Sequence, residues 1–295
     1  SSTGGDLITV GFAQVGHESD WRTASTKSAQ DVFSEENGYD LAFVDCDNDS
    51  AAQLEAVRNF IQQGVDYIII DPIVSTGWDA VLTECEDAGI PVIVIDRTID
   101  DSDKYVSWVG SDFKVEGLAC GEWLKAYAAD KGITEINALV IEGSTGASAT
   151  IGRTDGFKEI ADREGWTILD SQSGEADATT SMNVTSDWIQ RFGADGIDAI
   201  VPLGTALTVG VGEGLKAENL AGKVIVVSSD ESPEVAKEYL SNNYVSAIQY
   251  LNNEDLSLKA LEIAQQCMEG NPPEQREYRL ERTLYTIDNM DDYGK

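Results

Sequence analysis

Histidine is almost missing from this chain: His17 is the single one among 295 residues. That excludes most histidine-based metal clusters, and it leaves a Ser-His-Asp hydrolase resting on one residue with no nucleophile elbow to serve it. Basic residues are scarce too, 20 Lys and Arg against 53 Asp and Glu, for a formal charge of −33. Such a surface repels the phosphates that a nucleic-acid binder must neutralise and resists anionic membrane surfaces, so no nucleic-acid partner is expected. The carboxylates read mostly as a solvated acidic coat suited to salty or extracellular surroundings. No apolar run approaches the roughly 20 residues that span a bilayer. The polar start Ser1-Ser2-Thr3-Gly4-Gly5 reads as the lead of a mature chain, with any signal sequence or anchoring cysteine already removed. The four cysteines, Cys46, Cys85, Cys120 and Cys267, have no CxxC spacing, which argues against zinc; zero, one or two disulfides fit the count. Cys85 and Cys120 fall on apolar helix faces, where a buried thiol is the common outcome.

What the chain does have is alternation. Apolar, β-rich runs recur at 7–15, 39–45, 65–71, 91–96, 138–142, 168–171, 197–203, 224–228 and 245–251, separated by helical patterns such as 51–63, where Leu54, Val57 and Ile61 keep helical spacing. Strand and helix in alternation mean parallel sheet with right-handed crossovers. Runs such as Tyr67-Ile68-Ile69-Ile70 and Val92-Ile93-Val94-Ile95 fit strands covered on both faces. The length exceeds the roughly 100 to 150 residues of a common domain, so two lobes are expected. An internal echo agrees: the stretch 65–72 is answered by 197–202, and 90–97 by 223–231, each a strand ending in an acid. The first boundary is placed at 107–111 and a second crossing near 251–253, followed by a helix over 254–268 and one closing strand segment over 276–287. The expected lobes are 6–108 with 252–276, and 109–251 with 277–295.

In open parallel sheets ligands bind beyond the carboxyl ends of the strands. Here those ends are polar: Gln14 and His17, Asp71, Asp96 and Arg97, Glu142, Asp230 and Gln249, with Arg153 one turn into the helix after Glu142. A lone strand-end Asp is more often a turn or cap residue, and a lone Trp is usually core. The conjunction carries more weight, because carboxylates that accept in pairs and guanidiniums that donate in forks suit a polyhydroxylated ligand. Asp96-Arg97 is the most informative pair, since an acid and a fork donor after a buried strand are costly without a partner. Trp21, Trp78 and Trp108 lie near strand-end loops and could offer ring faces to sugar C–H groups.

The stretches Val10-Gly11-Phe12-Ala13-Gln14-Val15-Gly16, Trp21-Arg22, Gln63-Gly64-Val65-Asp66, Pro72 through Trp78, Ile90-Pro91-Val92, Asp96-Arg97, and Gly143-Ser144-Thr145-Gly146-Ala147-Ser148 through Arg153 and Gly156-Phe157 resemble the ribose-type sugar-binding proteins of ABC transporters. The likeness is greatest to that family's galactofuranose-binding branch. The resemblance implies an α/β, periplasmic-binding-protein-like fold, two Rossmann-like lobes with parallel sheets joined by a hinge. It implies a monomer that closes on one neutral monosaccharide, a furanose, pentose, hexose or polyol, and presents it to an ABC permease outside the cytoplasm, periplasmic or lipid-anchored. No catalysis, cofactor or metal belongs to that picture. The family's ligand contacts carry over onto Glu18, Trp21, Arg22, Asp96, Arg97, Arg153, Asp230 and Gln249. One position departs: where relatives carry Asn-Asp, this chain has Gly204-Thr205, which places Thr205 at the ligand and removes an amide contact.

Rival readings fare less well. A glycosidase needs only two carboxylates, and Asp96 and Asp230 could serve, but nothing else in the pattern supports it. The Gly143–Gly146 loop opens a helix yet lacks a Walker Lys and the GxGxxG spacing. Asp45, Asp47, Asp49 and Glu55 resemble a calcium loop but have Ser50 where Gly is needed, so they read as a turn before a helix. A sugar-responsive regulator would need a basic helix-turn-helix before Leu7. A carrier that reports to a chemoreceptor or kinase would share the same pocket.

Overall fold

The computed structural model describes residues 6–295; the polar lead at 1–5 lies outside the described residues. In chain order the strands are β1 (Ile8–Gln14), β2 (Tyr39–Asp45), β3 (Tyr67–Ile70), β4 (Val92–Ile95), β5 (Ser107–Gly110), β6 (Asn137–Glu142), β7 (Thr167–Ser173), β8 (Ala199–Leu203), β9 (Ile225–Ser229), β10 (Ala247–Tyr250), β11 (Glu277–Arg279) and β12 (Thr283–Tyr285). The helices are α1 (Asp20–Val32), α2 (Ser50–Gln63), α3 (Asp79–Asp87), α4 (Phe113–Asp130), α5 (Ser148–Glu164), α6 (Ala178–Phe192), α7 (Leu207–Ala217), α8 (Pro233–Ser241) and α9 (Asn253–Met268).

These elements form two compact units. One comprises residues 6–18 with Arg22–Ser111 and Asn252–Leu280; the other comprises Ser19–Trp21, Asp112–Leu251 and Glu281–Lys295. Each holds a six-stranded sheet, ordered β11-β5-β4-β3-β1-β2 in the first and β12-β10-β9-β8-β6-β7 in the second. Apart from the added strand, both follow the doubly wound order 2-1-3-4-5, whose switch point lies between β1 and β3 in one unit and between β6 and β8 in the other. All ladders are parallel except β10 with β12.

The local chemistry explains the boundaries. Asp49 caps α2 by accepting from the amides of Ala51 and Ala52, and Gly64 ends it in the left-handed region at φ 68°. The acidic run at 45–49 is therefore a turn and a helix cap. Strands β3, β4, β8 and β9 are buried along their whole length, as strands covered on both faces must be. Among the described residues all four cysteines are free, and burial pushes the thiols of Cys46, Cys85 and Cys120 up to about 12, which leaves them inert. No described helix is long and apolar enough to cross a membrane.

Two expectations about the connections change. The first unit does end within 107–111, at Ser111, but that stretch also contains β5, a full member of the first sheet that was not expected; four residues are too few to declare a period. The single closing segment over 276–287 is two strands in different sheets: β11 pairs with β5 and β12 with β10. Residues 109 and 110, and Glu277–Arg279, thus belong to the first sheet rather than the second.

Helices α4 and α5 touch backbone to backbone. A Cβ on Gly117 would lie 2.1 Å from the Arg153 carbonyl oxygen, and one on Gly156 would lie 2.2 Å from that of Lys114. This close approach sets Glu116 of α4 against Arg153 of α5. In an open helix Gly→Ala stabilises by about 1 kcal/mol, but here the intruding methyl meets backbone that cannot rotate away. Gly117→Ala should therefore destabilise the chain by about 1–3 kcal/mol in chemical denaturation; an unchanged or raised midpoint would show that the helices can part at no cost.

Candidate functional site

The two switch-point edges carry the same backbone device. After β4, Asp96 takes φ 60°; after β9, Asp230 takes φ 56°. Each donates its amide across to the neighbouring strand, Asp96 to the Val109 carbonyl and Asp230 to that of Gln249, both at 2.8 Å. Asp tolerates the left-handed region better than most side chains do, and the turn swings its carboxylate off the end of the strand. The echo between 90–97 and 223–231 in the sequence is this repeated turn.

In the first unit the Arg22 guanidinium, on the first turn of α1, gathers three acids. It bonds Asp71 through Nη1, Asp96 through the same nitrogen at 3.1 Å, and Glu18 through Nε at 3.1 Å. Burial works against its charge, but Asp71, Asp96 and Glu18 outweigh that and raise its pKa further. Arg97 is also buried; its Nη1 donates to the Ile73 carbonyl at 3.0 Å, and burial beside Arg22 lowers it to about 10. Asp71 is pushed the other way, to about 7, by burial, with Arg22 pulling it down and Asp96 pushing it up. Three buried atoms in this cluster lack a hydrogen-bond partner: Glu18 Oε2, Asp71 Oδ1 and Arg97 Nε. Buried Gln53 of α2 fixes the surrounding backbone, donating to the carbonyls of Ala13 and Asp71 and accepting from Ile73.

In the second unit four side chains close a ring. Arg153 donates to Glu116 Oε2 and to Asp230 Oδ2, both at 2.7 Å; Arg282 donates to Glu116 Oε1 at 2.6 Å and grips both oxygens of Asp230. The Arg153 guanidinium also lies 5.3 Å from the centre of the Phe113 ring. Burial opposes ionisation of Asp230, yet Arg282 and Arg153 prevail and hold its carboxyl below the usual range. Next to it, Glu231 is driven up to about 8 by burial and by the charges of Asp20 and Asp230.

The structure thus brings Glu18, Arg22, Asp96 and Arg97 together in one unit, and Arg153 with Asp230 in the other. Gln249 joins the second group through its amide, which donates to the Glu116 carbonyl at 2.8 Å and to Cys120 Sγ at 3.3 Å. Thr205 stands half-buried in the turn before α7 and is not part of the ion ring. The buried indole of Trp21 donates to the Leu251 carbonyl at 3.4 Å. Trp78 and Trp108 are not platforms for a ligand: both sit in the first unit's apolar core. Trp108 instead supports the site from below, its N–H shared by the Asp96 and Arg97 carbonyls. Three strand-end polar groups have local duties: Gln14 bonds Ser25 and Thr26, Glu142 bonds Ser171, and exposed His17 bonds Asp45.

Sequence reasoning missed Glu116 and Arg282. Glu116 had a signal, being an acid on the helix face it shares with Gly117, Cys120 and Gly121, all of them buried. Arg282 had none, since only the split of the closing segment brings it to Asp230. A surface cavity of about 320 Å³ lies elsewhere, at the amino ends of β4 and β5 beside Ile90, Asp103, Lys104 and Tyr105. It is on the wrong edge of the sheet for a switch-point ligand.

Two doubly wound units, each with buried guanidiniums and carboxylates at its carboxyl edge, define a solute-binding protein rather than a hydrolase. Residues 10–272 match the periplasmic binding protein domain family, and the chain belongs to that family. It is similar to the galactofuranose-binding protein YtfQ of Escherichia coli, 34% identical over 252 residues, 83% of this chain and 78% of that protein. Among solved structures it is similar to a galactofuranose-binding protein (TM-score 0.91, 30% identity, 97% and 96% of the two chains). It also matches the arabinose-transporter binding protein of Shewanella sp. ANA-3, bound to α- and β-L-arabinofuranose (TM-score 0.89, 31% identity, 96% and 93%). These relatives are transport proteins that bind solutes, and this chain likewise is a binding protein and not an enzyme.

The raised Glu231 carboxyl has a thermodynamic consequence. Its folded pKa, about 8, exceeds its ordinary value of 4.5, so its contribution to stability is complete below about 4.5 and is lost as pH rises toward 8. Glu231→Gln carries no such charge. Relative to the parent, it should gain stability steadily between pH 5 and about 8 in parallel denaturant titrations; a pH-independent difference would place the Glu231 carboxylate in contact with water.

Proposed function

We propose that this chain binds one neutral monosaccharide through the polar groups at the carboxyl edges of its two sheets and delivers it, outside the cytoplasm, to an ABC permease. The observation that carries the reading is the trio of partnerless buried atoms at the first edge, Glu18 Oε2, Asp71 Oδ1 and Arg97 Nε. Two acceptors and a donor left dry are costly alone and are what a sugar hydroxyl, which both donates and accepts, can satisfy.

Charge narrows the ligand. Arg153 and Arg282 balance Glu116 and Asp230 in the second unit. In the first, Arg22 and Arg97 face Glu18, Asp96 and an Asp71 that titrates near 7. Neither edge offers surplus positive charge, so phosphorylated and acidic sugars are disfavoured. The relatives supply the ring form: one is named for galactofuranose and another holds arabinofuranose. A furanose is therefore the preferred shape, and Gly204-Thr205, in place of a larger amide, leaves room for a pentose, a ketose or a water-bridged hexose. The resemblance to ribose-type binding proteins implies a monomeric carrier in which greater affinity of the sugar for a closed form drives hinge closure.

Thermal-shift screening of aldoses, ketoses, polyols and sugar phosphates, followed by calorimetry, tests this. One site is expected, with a Kd on the order of 0.1–10 μM for a neutral monosaccharide. Arg97→Ala should weaken it by about 2–4 kcal/mol while the fold persists, because it strands the hydroxyl and carboxylates it served. A sugar phosphate or amino acid as the tightest ligand, or normal binding by folded Arg97→Ala, would overturn the assignment.

A further inference from the structure

The stretch from Glu281 to Lys295 leaves β11 in the first sheet and finishes in the second unit, where it does more than add an edge strand. Its Arg282 forks onto both oxygens of Asp230 while its Nε holds Glu116. Its Tyr293, buried, places one phenol oxygen on both backbone groups of Glu231: the Glu231 amide donates to it at 3.2 Å, and its O–H donates to the Glu231 carbonyl at 2.9 Å. The ring is clamped between Tyr250, centroid to centroid 4.4 Å, and Tyr285, 4.8 Å. Beyond it, Gly294 passes so close to Pro233 of α8 that a Cβ would sit 2.7 Å from that ring.

We infer that this C-terminal segment is a positioning element for ligand binding, Arg282 fixing the Asp230 carboxylate and Tyr293 fixing the backbone turn that carries it. The inference rests on the reading of Asp230 as a sugar contact. A carboxylate has about four lone-pair sites, and Asp230 uses three: one on Oδ1 for Arg282 Nη1, two on Oδ2 for Arg282 Nη2 and Arg153 Nη2. What remains is one acceptor direction, on Oδ1, so the acid meets the ligand already oriented. The turn itself needs a hold, because Asp230 stands at φ 56° with Glu231, a buried acid, directly after it. Tyr293 satisfies both polar backbone groups of that second residue at once, and no other side chain type with a ring of that size both donates and accepts through one atom.

The groups facing Asp230 are Arg153 from α5, Glu116 from α4, Arg282 and Tyr293 from the C-terminal segment, and Glu231 beside it, with Asp20 beyond. With Arg282 removed, Arg153 alone opposes protonation, so the Asp230 carboxyl must titrate at higher pH. A merely structural role would lower the melting temperature without moving the pH dependence of sugar affinity.

The test uses the full chain and its Tyr293→Phe, Arg282→Gln, Arg282→Lys and Asp230→Ala variants. Each is titrated calorimetrically with L-arabinose and with D-galactose between pH 4 and 8, alongside melting temperatures. Tyr293→Phe and Arg282→Gln should each lose about tenfold or more in affinity at pH 7. Arg282→Lys should recover part of the loss, since a single ammonium restores charge but not the fork. The acid-side fall in affinity should begin at higher pH in Arg282→Gln and stay in place in Tyr293→Phe. If both variants bind like the parent while Asp230→Ala does not, the positioning role is wrong and the sugar reading stands; so too if Lys and Gln at 282 are equally weak with no shift in the pH profile. If Asp230→Ala also binds like the parent, Asp230 is not a sugar contact, and the reading on which the inference rests fails with it.

Discussion

Buried pairing of guanidinium with carboxylate is the interaction on which the rest depends. Each of the ions Arg22, Asp71, Asp96, Arg153, Glu116, Asp230 and Arg282 sits where a lone charge would cost several kcal/mol. None is lone. The pairs are weak evidence for stability, since apolar residues of equal volume would do as well or better, and strong evidence for a requirement that apolar residues cannot meet. That requirement is a set of donors and acceptors fixed in direction before a ligand arrives, so that ordering is not charged against binding.

The parallel architecture makes such pairing possible. Helices on both faces dry the strands, and each strand delivers its last side chain to the same edge. At two of those ends an Asp in the left-handed region turns its carboxylate outward, and the amide it would orphan goes to the next strand. The two edges are then finished differently. The first keeps three unpaired polar atoms around Arg22 and Arg97, while the second closes a ring through Glu116 and Arg282. The first edge leaves dry atoms beside its ions; the second pairs its ions with one another and leaves one acceptor direction on Asp230.

Much of this was legible in the residues. The strand-helix alternation, the repeat of 65–72 and 90–97, and the acids that end strands pointed to two parallel sheets with polar carboxyl edges. What stayed hidden shared one cause: it depended on contacts distant in sequence. Strand β5 is four residues long and carries no period, and the closing segment gave no hint that it would split between two sheets. Arg282 reaches Asp230 only because it splits. Trp78 and Trp108 looked like ring platforms because proximity to a strand end says nothing of which way an indole points; their packing into the first unit's apolar core is not written locally. Glu116 was within reach, since an acid spaced with Gly117, Cys120 and Gly121 on one helix face calls for a partner.

The most direct test of a preorganised polar edge in each unit is a crystal structure grown with the tightest-binding monosaccharide. The account predicts sugar hydroxyl oxygens within hydrogen-bond distance of the carboxyl-edge groups Asp96, Arg97 or Asp230, with the Arg153–Glu116–Arg282 ring unbroken. A sugar lodged instead in the groove by Tyr105 at the amino ends of β4 and β5, or held with that ring opened, would contradict it.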